Sequence, residues 1–289
     1  MILITKKQKE YELLDSGNGE KLERYGPYIL RRPDPEALWE KSRDFTSWDK
    51  AELRFVRNGT KTKWVTKEGT SKNWDIEYSG LNFSIRPTSF KHTGLFPEQM
   101  PNWEWTEKLI KVASSSRKIS VLNLFAYTGG ATLACAHAGA EVCHVDGSKT
   151  AVAWARENAE LSGLGDAPIR WIIDDVLMFL KREIKRGRKY DAIIMDPPSF
   201  GHGPKDELWK IEEHFLLLMK LCGEILSNDP LFIIINGYTA GYSSIAYENN
   251  LKSMMKNYKG EIEKGELVIE ESEGGRLLPC GIFARWSKV

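Results

Sequence analysis

The sequence has little cysteine, and none of it is arranged for a metal. Four cysteines occur in 289 residues, and no two of them form a C-x-x-C pair. Structural zinc sites need closely spaced ligands, so we expect no metal and four reduced, mostly buried thiols. These cysteines are Cys135, Cys143, Cys222 and Cys280.

The sequence also lacks an excess of either charge and lacks a long apolar run. Lysine and arginine total 41, and aspartate and glutamate total 40, so no global positive field draws the chain to nucleic acid. A nucleic-acid partner would have to meet a local patch. No stretch of about 18 apolar residues could span a membrane, and the first hydrophobic run is too short for a signal peptide. We therefore expect a cytoplasmic protein with no membrane segment.

Residues 1–88 have the pattern of a small β-rich domain. Asn58-Gly59 and Ser79-Gly80 each lie between two short runs that contain apolar residues, which predicts hairpins. Six of the ten tryptophans fall at or before residue 105, among lysines and arginines. Such aromatic residues could stack on bases, but in short strands they more often belong to the core.

From about residue 102 the pattern changes to helices that alternate with short apolar strands. Runs such as VLNLF, YDAIIMD and LFIIIN predict parallel strands that are buried on both faces of a doubly wound sheet. Gly274-Gly275 joins two last strands without a crossover helix, so these two must pair antiparallel. The predicted fold class is α/β: a mostly parallel, Rossmann-like, seven-stranded sheet with an antiparallel C-terminal hairpin in domain 89–289, preceded by the β-rich domain 1–88.

Polar residues follow every predicted strand of this sheet, at the end where open α/β sheets bind ligands. The first of these strand ends carries Gly129-Gly130 before a helix, but the G-x-G-x-x-G spacing of a pyrophosphate site is missing. The pattern therefore favours a nucleoside ligand without phosphates. In chain order, the five strand ends are residues 125–130, residues 146–148, Asp174-Asp175, Asp196-Pro197-Pro198 and Asn236-Gly237-Tyr238.

Three acids at these strand ends suit the parts of a nucleoside. Asp146 stands 17 residues after Gly129, at a position where an acid accepts hydrogen bonds from two ribose hydroxyls. Asp174 or Asp175 could accept a hydrogen bond from an adenine amino group, and Val176 could line the ring. The alternative for Asp174 and Asp175 is helix capping.

The stretches VLNLFAYTGG, HVDGSKTAVAWARENAELSGL and IIDDVLMFLKREIKRGRKYDAIIMDPPSF together resemble class I S-adenosylmethionine-dependent methyltransferases. More narrowly, they are similar to the bacterial family that includes the 23S ribosomal RNA large-subunit methyltransferases, with SYTGG and DPPKF-type motifs. The similarity spans residues 87–236 and includes SFKHTGLFPEQ near its start. These motifs are specific to the cofactor and much less specific to the substrate.

The resemblance implies S-adenosylmethionine as cofactor. Residues 125–130 would wrap its methionine part, Asp146 would hold the ribose, and Asp175 with Val176 would meet the adenine. Asn123 departs from the pattern, because many methyltransferases carry an acid there and an amide supplies no charge. Thr93 and Gln99, with Phe96, would close over the cofactor from the other side. The predicted cofactor-binding residues are Phe125, Ala126, Tyr127, Thr128, Gly129, Gly130, Asp146, Gly147, Ser148, Asp174, Asp175, Val176, Thr93 and Gln99.

The fourth strand end limits the chemistry. Methyl transfer from a sulfonium is an in-line displacement, so the protein mainly holds a nucleophile close to the methyl carbon and excludes water. Members of the resembled family that make 5-methylcytosine carry a cysteine nucleophile just after the fifth strand, and IIINGYTAGYSS has none. Asp196 and the Pro197 carbonyl can instead accept hydrogen bonds from an amino group, and Phe200 could stack on the base. The predicted catalytic residues are thus Asp196, Pro197 and Phe200, with a hydrophobic plug as the alternative for Phe200.

The predicted function is methyl transfer to a base nitrogen of ribosomal or other RNA, which the β-rich domain helps to place. Two alternatives stay open: a methyltransferase of a small molecule or a protein, and a domain that binds the nucleoside without catalysis. Residues 201–213 form a mixed-charge loop that could be a lid or a phosphate contact, or could simply be solvated.

Overall fold

The computed structural model describes residues 1–59 and 61–288, which divide into two compact units. One unit contains Leu3–Met100 and Leu267–Cys280, and the other contains Met1–Ile2, Pro101–Glu266 and the C-terminal residues from Gly281 onward. The turn of the C-terminal hairpin therefore belongs to the same unit as the N-terminal strands, a grouping that chain order alone does not give. The domains 1–88 and 89–289 stay a prediction.

The N-terminal part consists of short strands and one short helix. Strands β2 to β6 form a sheet in the order β2-β3-β4-β5-β6, in which β4 and β5 are parallel and the other pairs are antiparallel. Strands β7 and β8 form a separate hairpin. The elements are β1 (Ile2–Thr5), β2 (Tyr11–Gly17), β3 (Glu20–Tyr25), β4 (Tyr28–Pro33), α1 (Phe45–Asp49), β5 (Leu53–Asn58), β6 (Lys61–Thr66), β7 (Trp74–Tyr78) and β8 (Leu81–Ile85).

Both predicted hairpins are confirmed. The β7–β8 turn has Ser79 at φ 53° and Gly80 at φ 75°, the two positive φ values that a two-residue hairpin turn requires. Strands β5 and β6 pair from Leu53 opposite Thr66 to Asn58 opposite Lys61, on either side of Gly59 at φ 62°. The turn residues therefore set the register of both hairpins.

The second part of the chain alternates helices and strands, as the sequence predicts. A single 3-10 turn (Pro97–Gln99) leads into it. The elements are α2 (Met100–Ala113), β9 (Ser120–Leu124), α3 (Gly130–His137), β10 (Glu141–Asp146), α4 (Lys149–Leu161), β11 (Ile169–Ile173), α5 (Val176–Lys185), β12 (Ala192–Met195), β13 (Phe200–His202), β14 (Leu208–Lys210), α6 (Ile211–Ile225), β15 (Phe232–Gly237), α7 (Ser244–Met254), β16 (Glu261–Glu270) and β17 (Leu277–Ser287).

The central sheet has the order β1-β16-β17-β15-β12-β9-β10-β11. Strands β9, β10, β11, β12 and β15 are parallel to one another, and β17 pairs antiparallel with β15, so the predicted fold class is confirmed. In β12, Ile193 and Met195 belong to the apolar core on one face, and Ala192 and Ile194 belong to the core on the other. A strand that is buried on both faces has an unbroken apolar sequence, and for this reason the sequence pattern predicted these strands.

The strand count was wrong by one, because the sheet has eight strands rather than seven. The additional edge strand is β1, whose Ile2, Leu3 and Ile4 are good strand formers at the start of the chain. Nearby, the Met1 ammonium donates to the Lys264 carbonyl at 3.0 Å. Among the described residues, no helix is long and apolar enough to cross a membrane.

Candidate functional site

Five parallel strands end at one edge of the sheet, and the register brings their polar ends together. Leu124 of β9 lies beside Met195 of β12 and Val145 of β10, and Met195 also lies beside Ile235 of β15. Asp146 at the end of β10 pairs with Ile173 of β11. The residues that follow each strand therefore share this edge, where the sequence predicted the site.

The loop from β9 to α3 has an unusual backbone. Phe125 and Tyr127 have φ values of 55° and 48°, which non-glycine residues rarely adopt, and Gly129 has φ 90°. The Ala126 amide donates to the Val145 carbonyl at 3.1 Å, which fixes the loop to the neighbouring strand. Non-glycine residues with a left-handed backbone are strained and persist only where the surrounding structure holds them. They concentrate at ligand sites.

The paired glycines are there for different reasons. Gly129 provides the positive φ before α3. Gly130 has no such φ, but a Cβ at this position would lie 2.8 Å from Cη2 and 3.2 Å from Cε2 of Trp103. The indole thus lies directly against the backbone of the loop. In this loop Thr128 is buried, and its carbonyl accepts a 2.9 Å hydrogen bond from the side-chain amide of Asn158.

The Asp146 carboxylate holds two segments in place. Its Oδ2 accepts from the Tyr127 amide and its Oδ1 accepts from the Ser148 amide, both at 2.8 Å. Burial raises the pKa of this carboxyl group, and the two amide hydrogen bonds act in the opposite direction. Ser148 is the N-cap of α4 and accepts from the Ala151 amide at 3.2 Å. Each Asp146 oxygen keeps a second lone pair that can accept from a ligand hydroxyl.

At the end of β11, Asp175 caps a helix, as the alternative interpretation predicted. Its Oδ1 accepts from the Met178 amide at 2.8 Å as the N-cap of α5. Asp174 forms an ion pair with Arg182, which balances its charge. Val176 is buried in the core. Capping uses one oxygen of Asp175, so a second role in binding adenine stays a prediction.

The loop predicted at residues 201–213 is partly a hairpin, β13–β14, that leads into α6. A Cβ at Gly147 would lie 3.3 Å from the His202 carbonyl oxygen, and a Cβ at Gly203 would lie 3.2 Å from Cβ of Asp175. Trp209 of the hairpin is buried, with its ring centroid 4.8 Å from that of Phe125. The hairpin therefore packs on the ends of β9, β10 and β11.

The segment after β12 places an acid and an exposed aromatic ring at the same edge. Asp196 is partly exposed and Pro197 is buried. Phe200 is 58% exposed, so the alternative of a hydrophobic plug beneath the loop is wrong. Tyr238, just past the end of β15, is 36% exposed. An exposed aromatic ring in the same segment as a partly exposed carboxylate suits a planar ligand.

Two predicted residues lie in the other compact unit. Thr93 and Gln99 are both buried, and the backbone N–H of Gln99 donates to the Phe96 carbonyl at 3.1 Å. Their proposed contact with a cofactor stays a prediction.

A buried polar chain beneath the loop was not anticipated from the sequence. The Asn123 amide donates to Thr132 Oγ1 at 2.9 Å, and Thr132 Oγ1 is 2.9 Å from His144 Nδ1. Burial lowers the pKa of His144 to about 3, so the imidazole is neutral. Asn123, which departs from the acid of the resembled family, thus ties β9 to α3. In the sequence, the only sign of this chain of hydrogen bonds was one polar residue inside each of the apolar segments β9, α3 and β10.

The thiols are poor nucleophiles. Burial raises the pKa of Cys135 to about 12 and that of Cys143 to about 11, and it raises the pKa of Cys222 further. Thiolates, not thiols, attack electrophiles, so these groups are inert. Within residues 1–59 and 61–288, no group of three or more histidine, cysteine or acidic side chains could hold a metal ion.

Comparison with known proteins finds methyltransferases both among family models and among solved structures. Residues 52–253 match the family model described as S-adenosylmethionine-dependent methyltransferase. Among solved structures, the SAM-dependent methyltransferase from Agrobacterium tumefaciens is 40% identical with a TM-score of 0.95, and the match covers 100% of this chain and 94% of that one. A putative methyltransferase, SMU.776, complexed with SAH is 20% identical with a TM-score of 0.73, which shows the fold alone; the match covers 96% of this chain and 75% of that one.

Among curated proteins, similar sequences are named as ribosomal RNA methyltransferases. Ribosomal RNA large subunit methyltransferase K of Neisseria meningitidis is 28% identical over 225 residues, 74% of this chain and 62% of the relative. Ribosomal RNA large subunit methyltransferase I of Aeromonas salmonicida is 37% identical over 126 residues, 43% of this chain and 30% of the relative. The matches therefore span less than two thirds of these relatives' length.

Proposed function

The chain belongs to the S-adenosylmethionine-dependent methyltransferase family, and from this premise we propose that it transfers a methyl group to a base nitrogen of ribosomal RNA. The observation that carries the proposal is the end of β12, where the partly exposed Asp196 precedes the exposed ring of Phe200. The names of the curated relatives favour ribosomal RNA as the substrate. In our proposal the enzyme acts in the cytoplasm.

The residues at the strand ends fit S-adenosylmethionine. The left-handed backbone of Phe125, Tyr127 and Gly129 is typical of a ligand site, and the backbone amides at Tyr127 and Ser148 hold the Asp146 carboxylate in place. In our proposal these residues hold the methionine part and the ribose, and Asp174 or Asp175 with Val176 lines the adenine. The bound cofactor supplies an electrophilic methyl group on a sulfonium.

The residues after β12 would present the nucleophile. The Asp196 carboxylate and the Pro197 carbonyl accept the hydrogens of an amino group, which turns the nitrogen lone pair toward the methyl group. Phe200 stacks on the base, which must leave its helix to reach the site. The β13–β14 hairpin excludes water from the ends of β10 and β11.

Nitrogen is favoured over carbon because no suitable thiol is available. Methylation at C5 of cytosine requires a cysteine thiolate. In the unit that contains the strand ends, the three cysteines are buried and burial raises the pKa of each. A carboxylate acceptor suits an amino group instead.

A cationic strand face could place the RNA. Arg54, Lys61 and Lys63 lie on one face of the β5–β6 hairpin, where register sets Arg54 opposite Val65 and Lys63 opposite Val56. Residues 53–67 contain no acid, and across the described part of the chain these three cations form no ion pair. A set of unpaired cations on a chain of net charge +1 complements phosphates. In our proposal residues 1–88 therefore place the RNA and residues 89–289 transfer the methyl group.

The test is incubation of the protein and labelled S-adenosylmethionine with total RNA, protein and metabolites from a strain that lacks the gene. We expect label in a methylated nucleoside with the methyl group on nitrogen. Label in a 5-methylpyrimidine contradicts the chemistry, and label only in protein or metabolites contradicts the substrate.

Two variants separate binding from transfer. Asp146→Ala should weaken S-adenosylmethionine binding in calorimetry, whereas Asp196→Ala should bind the cofactor normally and transfer little label. Wild-type affinity in Asp146→Ala would remove the ribose assignment. Wild-type transfer by Asp196→Ala would remove the catalytic one.

A further inference from the structure

Tyr247 of α7 lies under the strand ends of the proposed site. Its side chain is 2% exposed, and its ring centroid is 5.5 Å from that of Phe215. A Cβ at Gly237, the last residue of β15, would lie 2.7 Å from Cε2 and 2.8 Å from Cζ of the phenol. The absence of a side chain at Gly237 therefore makes room for the phenol at the end of this strand.

The strand that carries Asp196 is the neighbour of the strand that ends at Gly237. Met195 pairs with Ile235, so Asp196 follows beside Asn236, one residue before Gly237. Burial raises the pKa of Tyr247 to about 12, and the negative charge of Asp196 acts in the same direction. Tyr247 is thus a neutral phenol that packs on the end of β15, the strand next to the one that precedes Asp196.

The hydroxyl of Tyr247 is buried without a hydrogen-bond partner among the residues that the structure describes. A buried hydroxyl that makes no hydrogen bond costs about 1–3 kcal/mol, so native proteins seldom keep one without a use. A phenylalanine would fill the same space without this cost. We therefore expect the hydroxyl to make its hydrogen bond only when substrate occupies the site.

We propose that Tyr247 is a positioning residue for methyl transfer, which rests on the proposed role of Asp196. When a substrate amino group engages Asp196, the phenol O–H donates to one carboxylate oxygen. That hydrogen bond fixes the carboxylate so that its other oxygen holds the nucleophile. A donor to a charged acceptor is the stronger kind of hydrogen bond, and it acts here in the loaded site rather than in the resting one.

Tyr247→Phe removes the hydroxyl and keeps the ring. We expect kcat to fall about 10- to 100-fold while KM for S-adenosylmethionine stays within about 2-fold, because the bond acts on the carboxylate that holds the nucleophile and not on the cofactor. The Tm should stay the same or rise, since an unpaired buried hydroxyl is removed. The matched control is Tyr258→Phe, whose hydroxyl donates to the Ser227 carbonyl at 3.4 Å, and its kcat should not change. A wild-type kcat in Tyr247→Phe overturns the proposal.

A double-mutant cycle tests whether Tyr247 acts through Asp196. In an Asp196→Asn background, adding Tyr247→Phe should cause little further loss of kcat, because the charged acceptor is already gone. Losses that multiply in full would mean that the two residues act independently, and would overturn the proposal. If labelling shows protein or a metabolite as the acceptor, the RNA assignment fails, and the same cycle on that acceptor still decides the role of Tyr247.

Discussion

The indole Nε1 of Trp209 donates a 2.6 Å hydrogen bond to the carbonyl oxygen of Pro198. This bond joins the β13–β14 hairpin to the segment that presents Asp196. The same indole packs against Phe125 from the end of β9. One buried side chain thus connects the proposed catalytic segment, the hairpin and the loop proposed to hold the methionine part.

Trp209→Phe should loosen the hairpin while it retains a ring against Phe125. Loss of the hydrogen bond should lower the free energy of unfolding by about 1 kcal/mol, since the Pro198 carbonyl is left unpaired. Trypsin should cleave faster after the exposed Lys205, and KM for S-adenosylmethionine should rise by roughly 10-fold. Peptide mapping and steady-state kinetics measure both changes.

Trp64→Phe is the matched control for this variant. Its indole makes a similar bond, to the Thr88 carbonyl at 2.7 Å, in the other compact unit. It should leave the cleavage after Lys205 and the KM unchanged. Equal cleavage rates in Trp209→Phe and wild type would show that the bond does not hold the hairpin.

Gly130→Ala should damage the loop that starts α3. The added Cβ meets the Trp103 ring at 2.8 Å, so the indole or the loop must move. Overpacking of this kind should cost about 1–3 kcal/mol of stability and weaken cofactor binding. Gly223→Ala in α6 is the control, because its Cβ meets only Met254 Cγ at 3.7 Å, and it should be neutral or stabilising by up to about 1 kcal/mol. Denaturant unfolding and calorimetry compare the two; similar effects would argue against the tight contact.

Glu183→Gln should remove part of the acid sensitivity of the fold. Burial acts to raise the pKa of Glu183, but hydrogen bonds from Arg170, Tyr190 and Arg186 outweigh it and lower the pKa to about 2. The unfolded-state value is near 4.5, so the ionised carboxylate stabilises the fold above pH 4.5. That contribution is lost progressively as the pH falls from about 4.5 toward 2.

The measurement is Tm as a function of pH. Wild type should exceed Glu183→Gln most clearly near pH 7, and the difference should shrink below about pH 4.5. Glu104→Gln, at an exposed position, should follow the wild-type curve throughout. A difference between wild type and Glu183→Gln that does not depend on pH would show that the charge of Glu183 is not the cause.

Reversal of two charges on the β5–β6 hairpin should weaken RNA binding. Lys61→Glu with Lys63→Glu should lower affinity by about 10-fold or more, and should reduce the slope of log K against log salt by roughly 1 to 2. Lys256→Glu with Lys259→Glu makes the same change in net charge at two exposed positions of the other unit. Filter binding across a salt series compares the pairs. Equal losses would mean that only net charge matters, and that the lysines only protect an edge strand.

Much of the fold could be predicted because strands that are buried on both faces of a sheet have continuous apolar sequences. The apolar runs of β9, β12 and β15, with acids or turn residues after them, needed no tertiary information. The hairpins at Gly59 and Gly80 could also be predicted from the sequence, because only a few residue types tolerate positive φ. In contrast, β13–β14 is too short and too polar to show a period, and it exists because Trp209 is buried against the rest of the site.

The sequence by itself determined the α/β class, the order of the strand ends and the absence of a thiol after β15. These properties are local, since they depend on periodicity, turn chemistry and residue type. Only the tertiary structure decided that Asp146 holds two backbone segments, that Asp175 caps α5 and that the hydroxyl of Tyr247 is buried near Asp196. Those facts depend on segments distant in sequence meeting at one edge of the sheet, and no local pattern records which side chains will share a contact.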